Sequence, residues 1–280
     1  MAASLCAFYR GIPCGHVEAG LRSHDLRAPF PEEMNRRIAT LAASLHFAPT
    51  NGAVETLLAE GIPAESIYRT GNTGIDALLW TAEDILKRPP ALPQKVQAIL
   101  DSGERFVLVT GHRRESFGRG FQAICHALQD LALIYPDVFF LYPVHLNPNV
   151  RNVVLNALTG YSNIVLVDPL PYRQFVRVMQ AAHCLLTDSG GIQEEAPSLK
   201  KPVLVMRDVT ERPEGIVAGC SRLVGTDVQR IATGVTELLN DTGGIYGRMI
   251  ASDNPYGDGR AAMRIVEAVR EYLKVGTECE

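Results

Sequence analysis

The sequence has no apolar run near the roughly 20 residues that a membrane helix needs, so no membrane span is expected. Residues 1–13 lack the basic-then-apolar build of a signal peptide. The six cysteines (Cys6, Cys14, Cys125, Cys184, Cys220 and Cys279) are scattered and form no Cys-x-x-Cys pair. That argues against a disulfide framework or a zinc site, and for a reducing, cytoplasmic setting. Positive charge is not in surplus: 27 Lys and Arg stand against 31 Asp and Glu, a formal net charge of −4. A broad nucleic-acid surface is therefore excluded, and any anion site must be local. His-Glu-x-x-His, the P-loop, the Gly-x-Ser-x-Gly elbow and Cys/His ligand spacings are all missing, so metal and acyl-transfer chemistry lack support. Internal repeats and low-complexity segments are missing too.

What is present suits a folded α/β protein. Hydrophobic residues make up 46% and charged residues 21% of 280, enough for real cores and natural for two domains. In the second half, short apolar runs read as strands at 106–110, 138–144, 164–167, 184–186, 203–206 and 222–224. Periodic stretches between them read as helices. Strands apolar throughout are buried on both faces, as in a parallel sheet, and the alternation predicts βαβ units of a doubly wound domain. Ligands of such sheets bind at the carboxyl ends of strands. Those ends carry His112, His145, Asp168, Ser189 and Arg207.

The first 75 residues read as part of a similar domain, with strands at 14–17, 45–48 and 67–70 and a helix near 32–41. That is too few strands for a complete doubly wound sheet. Residues 2–8 are apolar nearly all round and read as a buried helix without a capping residue ahead of it. Either the beginning of the domain lies outside this chain, or the terminus packs on the core. The Pro-rich stretch 88–104 is the best boundary candidate, and residues 261–273 form an amphipathic run.

Several strings could carry chemistry. Thr187-Asp188-Ser189-Gly190-Gly191 reads as a strand–turn–helix whose glycines admit close backbone approach. Its helix N-terminus favours an anion such as a diphosphate. A carboxylate one turn on, Glu194 or Glu195, could receive ribose hydroxyls. A tight turn with a capping Ser explains the same string equally well. The loop from Gly111 to Gly118 puts His112, Arg113 and Arg114 at a strand end, suited to a leaving phosphate. A solvated loop with Arg113 paired to Glu115 is its plainer reading. Glu18, in Gly15-His16-Val17-Glu18-Ala19-Gly20, is a carboxylate at a strand end among small residues. Glu32 and Glu33 follow 14 and 15 residues later, where acids also suit a helix's first turn. Two carboxylates reaching one cleft could divide acid and base roles. His145, taken alone, reads as a core histidine.

Together these strings resemble one family, the non-hydrolysing, bacterial-type UDP-N-acetylglucosamine 2-epimerases. The matching stretches are His16 to Arg22, Pro31 to Arg36, Thr70 to Thr73, Thr110 to Gly118, Tyr142 to His145, Thr187 to Leu199, and Lys201 to Glu214. They run in the family's order over nearly the whole chain. The resemblance implies two Rossmann-like domains of glycosyltransferase-B type, with a UDP-sugar between them and the C-terminal helix returning to the first. Residues 1–75 with 262–280 would form the remainder of the first domain, and 76–261 the UDP-binding domain. The implied reaction inverts C2 of UDP-GlcNAc to give UDP-ManNAc, through elimination of UDP to 2-acetamidoglucal and its re-addition, with no cofactor and no metal. Carried over by motif, Glu18 and Glu32 match the acid/base carboxylates and His112 the catalytic histidine. Ser189, Gly190 and Gly191 match the diphosphate loop, Glu195 the ribose-binding acid, and Arg212, Arg113 and His145 substrate contacts. A cytoplasmic homodimer acting on UDP-GlcNAc, without nucleic acid or membrane as partner, is the implied setting.

The family also carries a first strand, a phosphate-facing loop and a catalytic aspartate ahead of the helix at position 2. Roughly 100 further residues would be needed for a full domain, so poor activity or none is expected of the 280-residue chain. Competing readings are a hydrolysing epimerase releasing ManNAc and UDP, a glycosyltransferase on the same fold, and a non-catalytic nucleotide-sugar-binding remnant.

Overall fold

The computed structural model describes residues 1–27 and 30–277. The chain divides into two compact units, residues 1–79 with 255–280, and residues 80–254. The division falls inside a helix at Leu79/Trp80, and the Pro-rich stretch 88–104 lies within the second unit.

The first unit opens with α1 (Ala2–Tyr9), β1 (Gly15–Val17), α2 (Glu32–Ala42), β2 (Leu45–Ala48), α3 (Asn51–Ala59), β3 (Ile67–Arg69) and the start of α4 (Thr73–Lys87). Among the described residues its strands pair in parallel in the order β1-β2-β3. β2 is central among them and wholly buried, and the one polar residue of its Leu-His-Phe-Ala run, His46, meets the carbonyl of Thr40 at 2.9 Å. Gly20, just beyond β1, has φ +86, and a Cβ there would lie 2.2 Å from the carbonyl oxygen of Ala53. Only glycine allows α3 this close.

The expected burial of the first helix is not seen. α1 lies against α2 and buries none of its residues; Phe8 and Tyr9 are 62% and 82% exposed. A helix apolar all round is buried only when neighbours cover more than one side, and α2 covers one.

The second unit comprises the rest of α4, then α5 (Gln94–Ser102), β4 (Phe106–Thr110), α6 (Arg119–Ile134), β5 (Phe139–Pro143), α7 (Pro148–Leu158), β6 (Ile164–Val167), α8 (Tyr172–Ala181), β7 (Cys184–Thr187), α9 (Gly190–Ser198), β8 (Val203–Val205), α10 (Pro213–Val217), β9 (Ser221–Leu223), α11 (Val228–Leu239) and α12 (Ile245–Ala251). Its six strands are all parallel, in the order β6-β5-β4-β7-β8-β9. This is the doubly wound arrangement, with its switch point between β4 and β7. The core follows from the sequence pattern: β4, β5, β7 and β8 are apolar on both faces, and α6 presents Phe121, Ile124, Leu128 and Leu131 at helical spacing. Each such side chain contributes roughly 1.5–3 kcal/mol when fully buried.

The chain returns to the first unit through α13 (Ala261–Thr277). Its Ile265, Ala268 and Val269 pack on Leu45, Phe47 and Tyr68. Asp76 of α4 accepts the amides of Ala261 and Ala262 at 3.0 and 2.7 Å, capping the otherwise unpaired start of α13.

Candidate functional site

The switch point of the second unit gathers most of the candidate residues. β4 delivers Gly111, His112 and Arg113, and β7 delivers Asp188, Ser189 and Gly190. The two strand ends are tied by a 2.6 Å hydrogen bond between the Thr110 and Thr187 hydroxyls. Asp188 is wholly buried. Its Oδ2 accepts the backbone amides of His112 and Arg113, each at 2.8 Å. Its Oδ1 lies 3.2 Å from His112 Nδ1 but accepts no hydrogen bond in this ring setting. A buried aspartate thus shapes the loop that carries His112.

His145 follows the end of β5, and its ring stacks on that of His112 with centroids 5.5 Å apart and planes 23° from parallel. The core reading of His145 is not borne out: the residue is exposed, because it stands past the strand end beyond the last buried position, Val144. The amide of Asn147 donates to its Nδ1 at 3.1 Å.

The glycine turn opens α9. Ser189 occupies the N-cap position without a side-chain capping bond. A Cβ on Gly190 would stand 2.8 Å from Cζ of Arg212, so the guanidinium lies directly on the turn. Arg212 donates from Nε to Glu194 at 2.8 Å and from Nη1 to Glu211 at 2.7 Å. Glu211 also receives Arg113 at 3.1 Å and Arg207. Burial raises the pKa of Glu211, but its own backbone amide, Arg207 and Arg212 outweigh that and bring it down to about 2. The local pair Arg113–Glu115 expected for a solvated loop does not form. Glu115 instead accepts from Arg207 at 2.6 Å, because the loop after β8 lies beside the loop after β4 and supplies a closer partner. Arginines from two loops thus converge where helix amides already favour an anion.

The two glutamates of α9 separate in role. Glu194 is buried against Arg212, whereas Glu195 meets the hydroxyl of Tyr172 at 3.3 Å. Burial pushes the carboxyl of Glu195 up to about 7; the Tyr172 bond opposes the shift and the charge of Glu194 adds to it. Asp168, at the end of β6, pairs with Arg151 at 2.8 Å.

In the first unit Glu18 follows β1, exposed, with φ +60, and Glu32 is the exposed first residue of α2. Glu33 has the structural part: it is buried and accepts the Ser23 amide at 2.9 Å and Arg37 Nε at 3.0 Å. Burial alone would raise its pKa, but these two donors bring it below the ordinary value. The loop after Glu18 is thereby tied to the start of α2. Arg22 anchors the same loop through Glu60 at 2.8 Å, Thr40 at 2.9 Å and the carbonyl of Leu21 at 2.9 Å. Thr40 also meets His16 Nδ1 at 3.2 Å. Burial, then the neighbouring His46, lowers His16 to about 4, so it is neutral at physiological pH.

The family model described as UDP-N-acetylglucosamine 2-epimerase matches residues 1–270. The chain belongs to the UDP-N-acetylglucosamine 2-epimerase family. It is 53% identical over 273 residues to the UDP-N-acetylglucosamine 2-epimerase of Escherichia coli K12, a match covering 96% of this chain and 72% of that one. Among solved structures, the Staphylococcus aureus MnaA–UDP complex superposes with a TM-score of 0.89 at 44% identity, over 98% of this chain and 73% of that one. The Neisseria meningitidis UDP-GlcNAc 2-epimerase bound to UDP-GlcNAc gives 0.85 at 43% identity, over 96% and 73%. These neighbours establish for both units the glycosyltransferase-B-like framework of the epimerase family. Among the described residues, no group of three or more His, Cys, Asp and Glu could hold a metal ion, and no helix is long and apolar enough to cross a membrane.

The structure adds Asp188, Glu211 and Tyr172 to the residues singled out from sequence. Asp188 sat inside a recognised string but read as part of a turn. Its partners lie 75 and 76 residues away, and no local spacing signals them.

Proposed function

We propose that the chain interconverts UDP-GlcNAc and UDP-ManNAc by elimination and re-addition of UDP. A carboxylate removes the proton at C2, the electron pair forms the C1–C2 double bond, and the C1–O bond breaks with its electrons leaving on UDP. Reprotonation of 2-acetamidoglucal on the opposite face and return of UDP to C1 complete the inversion. Glu18 and Glu32 are assigned these proton transfers. His112 is assigned to the departing diphosphate, Ser189, Gly190, Gly191 and Arg212 to diphosphate binding, and Glu195 to the ribose. Arg113 and His145 are assigned further contacts with the nucleotide sugar. Residues 76–261, which include the second compact unit, are then the UDP-binding domain.

One observation carries this reading. A histidine and a glycine-opened helix N-terminus lie side by side at the switch point, joined by Asp188 and overlaid by Arg212. Charge leaving on a diphosphate needs donors already in place, and this is such an arrangement. Cysteines that are all free among the described residues support a cytoplasmic setting. We assign the family's homodimer as well, which light scattering over a range of concentrations checks.

The test is incubation of the purified chain with UDP-GlcNAc in deuterated water, followed by proton NMR. Accumulation of UDP-ManNAc with deuterium at C2 supports the proposal. Release of free ManNAc with UDP would make the chain a hydrolysing enzyme. UDP binding without turnover would make it a nucleotide-sugar-binding protein.

A further inference from the structure

We propose that Asp188 is a positioning residue that holds His112 in the Nδ1–H tautomer and so turns Nε2 toward the substrate. The inference deepens the assignment of His112 to the departing diphosphate and rests on it for its meaning in the reaction.

The buried carboxylate has two unlike oxygens. Oδ2 is occupied by two backbone donors at 2.8 Å each, which fix the loop. Oδ1 is equally buried and accepts no hydrogen bond. A buried carboxylate oxygen left without a donor is strongly disfavoured. His112 Nδ1 faces it at 3.2 Å, so a proton on that nitrogen, with a small turn of the ring, satisfies the oxygen. In the neutral ring this leaves Nε2 bare as a base, and in the charged ring it makes Nε2–H a donor.

Other contacts restrict the ring without competing for Nδ1. The stack on His145 limits its rotation. His145 uses its own Nδ1 to accept the Asn147 amide. Arg113, the neighbouring cation, is engaged by Glu211. The phenol of Tyr142, in the strand beside β4, lies beneath Gly111 with its hydroxyl 3.4 Å from that carbonyl. The His112 side chain is 40% exposed, which leaves Nε2 accessible. Asp188 itself touches no solvent, so its effect on substrate passes through His112.

The test reads the tautomer directly. Long-range proton–nitrogen correlations of the imidazoles are recorded on the full chain, labelled with nitrogen-15, at about pH 8.5. The His112 signals are assigned by their loss in His112→Gln. The expected pattern is a protonated Nδ1 and a bare Nε2. In Asp188→Asn the amide oxygen can keep both backbone donors while its NH2 group faces Nδ1, so the proton moves to Nε2 and the pattern reverses. Backbone amide signals outside the loop and UDP affinity stay unchanged within about threefold. The kcat for UDP-GlcNAc falls by roughly 10²–10⁴ at unchanged KM, the scale of losing a correctly presented acid or base. A wild-type His112 protonated on Nε2, or an unreversed pattern in folded Asp188→Asn, overturns the proposal. If the variant does not fold, the wild-type spectrum alone decides. If the chain does not turn over UDP-GlcNAc at all, the assignment of His112 to the leaving group fails, while the tautomer is still decided by the spectrum.

Discussion

Glu18 and His112 each stand just past the carboxyl end of a parallel strand, yet they are held by opposite means. His112 is set by a side chain: Asp188 grips its backbone amide and faces its ring. Glu18 is set by backbone. It adopts φ +60, and the next amide, Ala19, donates to Phe47 at 3.0 Å. Gly20 is pressed under Ala53, and Arg22 is anchored to Glu60 and Thr40. The carboxylate itself stays exposed. Left-handed backbone at a residue other than glycine is uncommon, and strain of this kind concentrates at functional sites. A side chain held by another side chain is vulnerable to substitution of that partner. One held by backbone is vulnerable to the residues that shape the turn.

The largest effects should come from the two groups themselves. His112→Ala and Glu18→Gln are each expected to lower kcat for UDP-GlcNAc by roughly 10²–10⁴, the usual contribution of a positioned acid or base. The thermal midpoint of Glu18→Gln should stay near wild type, since that side chain reaches solvent, whereas His112→Ala takes the only facing donor from the buried Oδ1 of Asp188 and should lose roughly 1–3 kcal/mol. Glu18→Gly separates the two modes of holding. It should abolish turnover yet leave stability unchanged or raise it by up to about 1 kcal/mol, because glycine relieves the left-handed strain. A marked loss of stability in Glu18→Gly would show that the carboxylate, not the backbone, holds the turn.

Next in size is Gly20→Ala. A methyl group 2.2 Å from the Ala53 carbonyl, on a φ of +86, cannot be accommodated without moving α3. Roughly 2–4 kcal/mol of destabilisation is expected, combining overpacking with an unfavourable φ. It should appear in denaturant unfolding followed by probes in the first unit. Retained stability would mean that α3 shifts easily, and Glu18 would then not be fixed by the turn.

The second unit was the more legible of the two in sequence, for a physical reason. Its strands are buried on both faces, so each is a short unbroken apolar run, and the residues after each run fall at the binding edge. Ser189, His112 and Arg207 could be located from that alone. Asp188 could not be given a role, because its work is done across 75 residues of chain. Glu194 and Glu195 were indistinguishable by spacing; which of them faces Arg212 is decided by the loop after β8. Arg113 and Glu115 looked like a local pair because sequence shows neighbours along the chain and not the adjacent loop. In the first unit, the composition of residues 2–8 predicts a buried helix. Composition states what a helix could bury, not what covers it.

A smaller effect concerns pH. Burial raises the pKa of Glu195 from its ordinary 4.5 to about 7, so the folded protein holds this proton more tightly than the unfolded chain. Its contribution to stability is therefore greatest below about 4.5 and is lost as pH rises toward about 7. If Glu195 receives the ribose hydroxyls as proposed, the carboxylate is the stronger acceptor, and UDP affinity should move the other way. It should rise at most about tenfold per unit as pH climbs toward 7, and level off above. Glu195→Gln should flatten this part of the profile and leave whatever comes from the phosphate's own ionisation, with a pKa near 6. Calorimetric titration with UDP between about pH 5.5 and 8.5 checks both curves. An unchanged slope in the variant would place the titrating group elsewhere.

The smallest effect tests the glycine turn residue by residue. At Gly191 a Cβ would meet nothing within 4 Å, whereas at Gly190 it would strike the Arg212 guanidinium at 2.8 Å. Gly191→Ala therefore removes only backbone freedom, and should leave stability within about 1 kcal/mol of wild type, gain included. Gly190→Ala must displace Arg212 or strain the turn, and should weaken UDP binding through that loss alone. The informative case is Gly191. Because the protein leaves its Cβ position empty, any weakening of UDP binding in folded Gly191→Ala reports the ligand's own approach to that backbone. A several-fold loss, with the Arg212 contacts intact, would put the diphosphate on the helix amides themselves. An affinity equal to wild type would move it off Gly191 and leave Arg212 and Ser189 as its main anchors.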